Sequence, residues 1–309
     1  MIPEHTKNPD HLQPRLGSAT VDAILVEATR AGVVEARHVV HAVAVVDGRI
    51  VESAGDPHLV TYFRSSAKPL QALPLVRARP DLDNGEIAIA CASHRHRTDQ
   101  LAPVLSLLGK ARLDEDDLEC GPEPTRLQHV CSGKHAGMLL LCRERGWRAD
   151  GYRLPEHPCQ RAMLAEVSAA VEVDPVSIPT SADGCGVVTY ALPLERMAHA
   201  FSRLDELEGG RRVALAMRAR PELIAGPGSV DTELMLLGDG WVAKYGAEGL
   251  LCAARDGLGV VAKVGDGAER ALQPALAAFL ERLGVGAGEL ARAPVTNSCG
   301  EIVGELHAR

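Results

Sequence analysis

Stretches with strand character lie towards both ends of this chain, and a mostly helical middle separates them. Residues 21–26, 32–46 and 49–53 are rich in valine and isoleucine, and strand periodicity returns at 241–245, 249–254 and 259–264. Asp47-Gly48, between the second and third runs, is a strong hairpin signal. The simplest architecture pairs the early and late strands in one sheet. The sequence therefore predicts an α/β protein of the α+β type, with an antiparallel sheet covered by helices.

The middle of the chain alternates helical patterns with short turns. Helical spacing runs over 98–112, 139–145, 158–171, 193–204 and 211–220, and a further helix is predicted over 268–283. Residues 86–91 are predicted to form a short buried strand that ends in Ala92-Ser93-His94, and Asp231 is predicted to cap a helix over 232–237. Residues 284–309 carry no clear pattern.

Length and composition limit the class of protein. With 309 residues, 46% of them hydrophobic, the chain can bury a large core, and no linker demands two folding units. We predict one domain over 18–309, preceded by a loosely ordered or disordered polar segment over 1–17. A net charge of -8 and 3% aromatic residues argue against a nucleic-acid surface and favour a small-molecule partner.

Cysteine content and the opening residues bear on location. The first 17 residues lack the apolar core of a signal peptide, and no apolar run reaches membrane-spanning length. The sequence therefore predicts a cytoplasmic protein without membrane contact. Eight cysteines in so long a chain are then expected to be reduced thiols, some of which could bind metal.

A serine and a lysine lie three residues apart in Arg64-Ser65-Ser66-Ala67-Lys68-Pro69. Proline is tolerated in the first helical turn, so Pro69 predicts a helix start near Ser65, with Ser65 at the cap and Lys68 on the same face. A serine hydroxyl becomes a good nucleophile beside a base, and burial or a nearby cation such as Arg64 can lower a lysine pKa enough for that role. The alternative is a serine that only caps the helix.

Several motifs in chain order resemble known families. Ser65-x-x-Lys68, Ser93 and Lys263-Val264-Gly265 resemble the order found in penicillin-recognising serine enzymes, although Val264 replaces their hydroxyl residue. A closer resemblance, from residue 21 to 283, is to the asparaginase II (Rhizobium-type) family. It is carried by Arg64-Ser65-Ser66-Ala67-Lys68-Pro69, Ala92-Ser93-His94, Cys131-Ser132-Gly133-Lys134-His135-Ala136-Gly137-Met138, Glu156-His157-Pro158, Asp183-Gly184-Cys185-Gly186, Asp231-Thr232-Glu233-Leu234-Met235, Lys244-Tyr245-Gly246-Ala247-Glu248-Gly249 and Lys263-Val264-Gly265-Asp266-Gly267.

The resemblance implies hydrolysis of L-asparagine to aspartate and ammonia, a fold similar to serine β-lactamases and glutaminases, and a homodimer. It places two Ser-Lys pairs on Ser65 with Lys68 and on Ser93 with Lys263. Either Ser65 is the nucleophile and the second pair completes a proton relay, or the two pairs share the work. Two nearby lysines repel, so one is expected to lose its proton near neutral pH. We expect an acyl-enzyme at Ser65.

The resemblance also implies a zinc site on Cys131, Lys134 and Cys185 with a water. Thiolates are good zinc ligands, and an open position could hold water or a substrate group. Without the resemblance, the two cysteines would be interpreted as buried apolar thiols and Lys134 as a surface charge. Whether the metal binds substrate or is structural stays open.

Three residues are candidates for binding the charged groups of an amino-acid substrate. Arg64 can bind a carboxylate, Asp183 can accept an ammonium, and His135 is the third candidate. Each has a plainer alternative: a local ion pair for Arg64, a turn for Asp183 and a backbone contact for His135.

The chain departs from the family pattern at Arg95-His96-Arg97, at Val188 and at Ser229. These changes border the expected pocket. The alternatives to an asparaginase are therefore a related amidase or acyl-transfer enzyme on another amide, and a non-catalytic amino-acid-binding homologue.

Overall fold

The computed structural model describes residues 22–238 and 240–309. The N-terminal segment predicted over 1–17 lies outside the described residues, and the extent of the domain stays a prediction. Four strands open the described chain: β1 (Ile24–Arg30), β2 (Val33–Val46), β3 (Arg49–Ala54) and β4 (Val60–Tyr62). Asp47 and Gly48 join β2 to β3 with φ values of +49° and +72°, the positive angles of a tight hairpin turn.

Helices dominate the next 160 residues. A 3-10 turn over Arg64–Ala67 leads into α1 (Lys68–Gln71) and α2 (Leu73–Ala78). The remaining elements of the middle region are α3 (Asn84–Ala90), α4 (Thr98–Ala111), α5 (Ser132–Arg145), α6 (Pro158–Val171), β5 (Thr180–Ala182), β6 (Val188–Pro193), α7 (Leu194–Ser202), α8 (Gly210–Ala219), α9 (Pro221–Ile224) and α10 (Val230–Leu236).

Strands return in the last quarter of the chain, as β7 (Val242–Gly246), β8 (Leu250–Arg255) and β9 (Leu258–Val264). After α11 (Leu272–Arg282), the chain ends in β10 (Pro294–Thr296) and β11 (Ile302–Ala308). The main sheet has the order β10-β11-β1-β2-β9-β8-β7, and β3 pairs with β2; β4, β6 and β5 form a second, small sheet.

The predicted pairing of early with late strands is confirmed. All pairs of the main sheet are antiparallel, and β2 joins β9 in a register that places His41 opposite Lys263. Helix α7 covers β2 and β9 so closely that a Cβ on Gly259 would lie 1.9 Å from the carbonyl oxygen of Ala198. Central strands are therefore buried by helices as well as by their neighbours.

One expectation about local structure was wrong, and one stretch that the sequence left undecided forms a strand. Residues 86–91, predicted as a strand, belong to helix α3, which begins at a capping box in which Asp83 and Glu86 each accept a hydrogen bond from the other's backbone N–H. The tail, without a clear pattern in sequence, supplies β11, which pairs with β1 across nearly the whole chain.

Candidate active site

The turn that carries Ser65 is anchored to the small sheet and to β7. The backbone N–H of Phe63 donates to the carbonyl oxygen of Tyr190 at 2.8 Å, and that of Arg64 donates to the Thr189 hydroxyl at 3.1 Å. Ser66 Oγ donates to the carbonyl oxygen of Lys244 at 2.8 Å. Ser65 itself is half-buried and is not a helix cap as predicted, because the 3-10 turn begins one residue before it.

Arg64 has a strained backbone and a fixed side chain. Its φ of +49° is unusual for a residue with a Cβ and costs about 1–2 kcal/mol. Its Nε lies 2.6 Å from Asp183 Oδ1, which also accepts the backbone N–H of Gly184 at 2.9 Å. The structure thus brings together two of the predicted substrate-binding residues, as an ion pair.

Lys68 is fully buried at the start of α1. Its ammonium donates to the carbonyl oxygen of Ala92 and lies 2.9 Å from Ser93 Oγ. Burial lowers its pKa to about 8; the nearby Cys131 opposes that shift, and the positive charges of Lys134 and Lys244 add to it. Lys68 is therefore a lysine whose pKa lies much closer to neutral pH than the usual value.

The hydrogen bond between Lys68 and Ser93 joins one residue from each of the two Ser-Lys pairs expected from the sequence. The resemblance paired Lys68 with Ser65 and Lys263 with Ser93. In the part of the chain that the structure describes, the Lys263 ammonium donates to the carbonyl oxygen of Val264, and burial, opposed by Glu248 and Asp266, lowers its pKa. The roles of the four residues stay predictions.

Cys131, Lys134 and Cys185 come together, as the resemblance implied. Lys134 Nζ lies 3.1 Å from Cys185 Sγ, and each of these three residues is at least 95% buried. A hydrogen bond from the Cys131 thiol lowers the pKa of Cys185 and raises that of Cys131. Burial alone would lower the pKa of Lys134, but the two sulfurs outweigh it and raise the pKa. The three donors form one buried cluster.

His135 lies behind this cluster. It is fully buried, and burial lowers its pKa to about 4 against the opposing effect of Cys185. Its Nδ1 lies 2.6 Å from Tyr152 Oη, which accepts the backbone N–H of Glu119. The tyrosine hydroxyl can donate to Nδ1 while it accepts from Glu119, and in that arrangement the proton of the neutral ring lies on Nε2.

The Nε2 of His135 is buried without a well-aligned hydrogen-bond partner among the residues described, although Cys185 is near enough to raise its pKa. The Cys185 sulfur is thus the neighbour of His135 in this cluster. The substrate role of His135 stays a prediction. A buried ring nitrogen without a well-aligned partner, next to two sulfurs and an amine, is consistent with a site for a further group.

The cluster and the Lys68–Ser93 pair are neighbours because helices α3 and α5 pack unusually closely. A Cβ on Gly133 would lie only 2.3 Å from the carbonyl oxygen of Ile89. His94, next to Ser93, binds the same helix, since its Nε2 lies 2.8 Å from Ser132 Oγ. Glycine at 133 therefore permits the contact that joins both halves of the site.

Two features near the site were missed in the sequence. Asp231, expected as a helix cap, lies inside α10 and pairs with Lys244 at 3.1 Å, with both side chains fully buried. Glu248, in the turn after β7, lies 4.0 Å from Arg64. Both belong to motifs that carried the resemblance, and that was their only signal in the sequence.

Two of the positions that depart from the family pattern have structural roles. Ser229 is buried and donates to Asp231 Oδ1 at 2.7 Å, and the backbone N–H of Val188 donates to Gln160 Oε1. The third, Arg95-His96-Arg97, forms a largely exposed loop after Ser93.

A lysine that can be neutral and is hydrogen-bonded to a serine defines a class of site that performs nucleophilic acyl transfer from amides and esters. The L-asparaginase II family model matches residues 26–308, so the chain belongs to that family. Family membership makes it an enzyme of amide hydrolysis or amide acyl transfer, with a small-molecule amide as substrate.

Other comparisons add little. No protein with curated annotation matches the chain significantly. Among solved structures, a simvastatin synthase mutant (LovD6) from Aspergillus terreus is 12% identical, with 79% of this chain and 87% of that chain covered and a TM-score of 0.33. A match at that TM-score carries no argument, so the likeness to serine β-lactamases stays a prediction. No helix within 22–238 or 240–309 is long and apolar enough to cross a bilayer.

Proposed function

We propose that this chain is an L-asparaginase that hydrolyses L-asparagine to L-aspartate and ammonia through an acyl-enzyme on Ser65. The observation that supports this most directly is the fully buried Lys68, 2.9 Å from Ser93 Oγ. A base of serine hydrolysis must be neutral when it acts, and a lysine pKa of about 8 makes the neutral form accessible at mildly alkaline pH.

The proposed reaction divides the work between the two serines. Ser65 Oγ attacks the carboxamide carbon and gives its proton to neutral Lys68, which lies three residues later on the same side of a 3-10 turn. As the C–N bond breaks, Ser93 gives its proton to the leaving ammonia and takes another from Lys68. Water then cleaves the ester, which releases aspartate and restores Ser65.

Arg64 is the proposed partner of the substrate α-carboxylate. Its Nε is engaged by Asp183, and that ion pair fixes the plane of the guanidinium while the two terminal nitrogens stay available for a bidentate contact. Lys263 has a proposed supporting role in the proton relay. His135 is a further proposed substrate contact, and Asp183 is proposed to act on the substrate through Arg64, which it holds in place.

Zinc is the proposed cofactor, with Cys131, Lys134 and Cys185 as its ligands. The residues fit the metal, since two sulfurs and one amine converge in a buried cluster beside an unpartnered imidazole nitrogen. When bound, zinc would supply a Lewis acid that holds a polar group of the substrate. Lys134 must give up its proton to bind metal, so uptake is expected to release protons and to weaken at low pH.

Metal content tests the proposed ligands. The purified wild-type protein is expected to contain about one zinc per chain, and Cys131→Ser and Cys185→Ser are expected to lose most of it. A Cys252→Ser variant is the matched control, because that buried cysteine lies in β8 and interacts with Ser66 and Lys244 instead of the three ligands. Equal zinc in all four proteins would exclude the ligand set. A homodimer remains a prediction of the resemblance, and a cytoplasmic location remains a prediction from the sequence.

Ammonia release and mass spectrometry test the reaction. We expect acid-quenched wild-type enzyme with L-asparagine to show an aspartyl adduct on the peptide that contains Ser65. Ser65→Ala should abolish the adduct, Ser93→Ala should slow turnover by about 100- to 10,000-fold, and the exposed control Ser177→Ala should leave both unchanged.

Near-native activity in a folded Ser65→Ala variant would exclude the nucleophile assignment. Activity on L-glutamine or another amide but not on L-asparagine would favour the related amidase. Binding of L-asparagine by calorimetry without aspartate formation would favour a non-catalytic amino-acid-binding homologue. The exposed Arg95-His96 loop after Ser93 is the observation that keeps these alternatives open.

A further inference from the structure

The turn between β7 and β8 places a carboxylate at the rim of the candidate site. Glu248 lies in this turn with a φ of +65°, and its side chain is 69% exposed. The turn is packed against the end of β9, since a Cβ on Gly249 would lie 2.8 Å from the Cβ of Val264. A non-glycine residue at positive φ in a packed turn is a strained feature of the kind that clusters at functional sites.

Two site cations surround this carboxylate. Glu248 Oε1 lies 4.0 Å from Arg64 Nη1, just beyond hydrogen-bond distance. Its negative charge also opposes the lowering of the Lys263 pKa, so the carboxylate lies near that ammonium as well. Glu248 is therefore the carboxylate near both Arg64 and Lys263, whereas Asp183 is the carboxylate near Lys134.

Asp183, the sequence-based candidate for the substrate ammonium, is already engaged. Its Oδ1 accepts Arg64 Nε and the Gly184 N–H, and its side chain is only 8% exposed. Of the two carboxylates that pair with Arg64, Glu248 is the open one. Its only ion pair among the described residues is the loose one with Arg64.

We propose that Glu248 binds the α-ammonium group of the amino-acid substrate while Arg64 binds its α-carboxylate. The two charged groups of an α-amino acid are attached to one carbon, so they need an anion and a cation side by side. An exposed carboxylate and a guanidinium 4.0 Å apart meet that need without neutralising each other through a direct hydrogen bond. This inference rests on the proposed function and specifies the substrate class as amides with a free α-amino acid group.

Gly267 leaves room for the carboxylate in its present position. A Cβ at this position, where φ is +81°, would lie 2.8 Å from Glu248 Oε2. Any side chain there would displace the end of Glu248. Gly267, the last residue of the motif Lys263-Val264-Gly265-Asp266-Gly267, therefore provides the space that the Glu248 side chain occupies.

The test compares L-asparagine with succinamate, which has the same amide and carboxylate but no ammonium. Glu248→Gln is expected to raise KM for L-asparagine by about 10- to 100-fold, the effect of one charge-assisted hydrogen bond, and to leave KM for succinamate within about twofold. Glu208→Gln is the matched control, because Glu208 is 86% exposed and lies 3.9 Å from Arg77; it should change neither value. Asp183→Asn should weaken both substrates alike, because it releases Arg64.

Equal effects of Glu248→Gln on both substrates, or none on L-asparagine, would overturn the inference. The inference would also be overturned if Asp183→Asn, and not Glu248→Gln, lost the preference for L-asparagine over succinamate. If the wild-type protein hydrolyses no amide, the proposed function fails and calorimetry replaces kinetics. Wild type should then bind L-aspartate at least about tenfold more tightly than succinate, and Glu248→Gln should not. No preference for L-aspartate in wild type, or the same preference in the variant, would overturn the inference independently.

Discussion

Replacing Asp231 by asparagine should destabilise the protein far more than a typical ion-pair mutation. Asp231 Oδ2 lies 3.1 Å from Lys244 Nζ, and both side chains are fully buried. The substitution leaves an amide of the same shape but removes the only negative charge described beside that ammonium. Losing one partner of a buried pair costs about 3–5 kcal/mol, since the other charge stays buried and uncompensated.

The double variant Asp231→Asn/Lys244→Met isolates the cause. Methionine keeps the apolar stem and removes the buried charge, so the double variant should recover at least about 2 kcal/mol of the loss. Asp150→Asn is the control, because its pair with Arg148 is 82–86% exposed and the change should stay within about 0.5 kcal/mol.

Urea unfolding, followed by circular dichroism and by the fluorescence of buried Trp241 next to β7, measures these differences. A loss below about 1 kcal/mol in Asp231→Asn would show that the pair behaves like a surface one. A double variant as unstable as the single one would refute the uncompensated charge as the cause.

The pH dependence of the same pair has a definite sign. Burial alone would raise the pKa of Asp231, but Lys244 and hydrogen bonds from Tyr245 and Ser229 outweigh it and hold the pKa below its usual value. A depressed folded-state pKa contributes stability that is present above the unfolded pKa of about 3.9 and is lost as pH falls through the folded value. The difference in stability between wild type and Asp231→Asn should therefore shrink at low pH.

Two further predictions concern the base and the close helix contact. The value of kcat/KM should rise with pH through an apparent pKa of about 8, since Lys68 must lose its proton. Lys68→Arg should abolish this rise and lower kcat/KM by about 100- to 10,000-fold. An unchanged pH profile in that variant would contradict the assignment. Gly133→Ala should cost about 1–3 kcal/mol in thermal unfolding, because Ile89 blocks the added methyl, whereas Gly109→Ala, in open space on α4, should be neutral or stabilising; similar effects of both would refute the packing argument.

Sequence reasoning predicted elements well where the signal is local. The β2–β3 hairpin follows from Asp47-Gly48, and α6 has the predicted bounds of 158–171. Helix α3 was missed because its alternating isoleucines and alanines are buried on every side, and a short apolar run of that kind fits a strand equally well. Strand β11 was missed because its partner, β1, lies at the other end of the chain.

The candidate site was predictable only through motifs in chain order. Spacing placed Ser65 and Lys68 on one short turn, but the hydrogen bond of Lys68 to Ser93 depends on how α3 packs against α1 and α5. The Asp231–Lys244 pair joins α10 to β7 and has no local signature either. Contacts between distant elements are set by tertiary packing, and no periodicity reports them.

Four lysines of this site are buried, and the counter-charges around them favour Lys68 as the proposed base. Lys244 has the carboxylate of Asp231 beside it, and Lys134 has the Cys185 sulfur, whose pKa is lowered. Among the described residues, Lys68 donates to neutral acceptors, the carbonyl oxygen of Ala92 and the hydroxyl of Ser93. Positive charge at Lys134 and Lys244 also lowers the pKa of Lys68. The arrangement of counter-charges therefore favours a neutral Lys68, the lysine that follows Ser65 by a single turn.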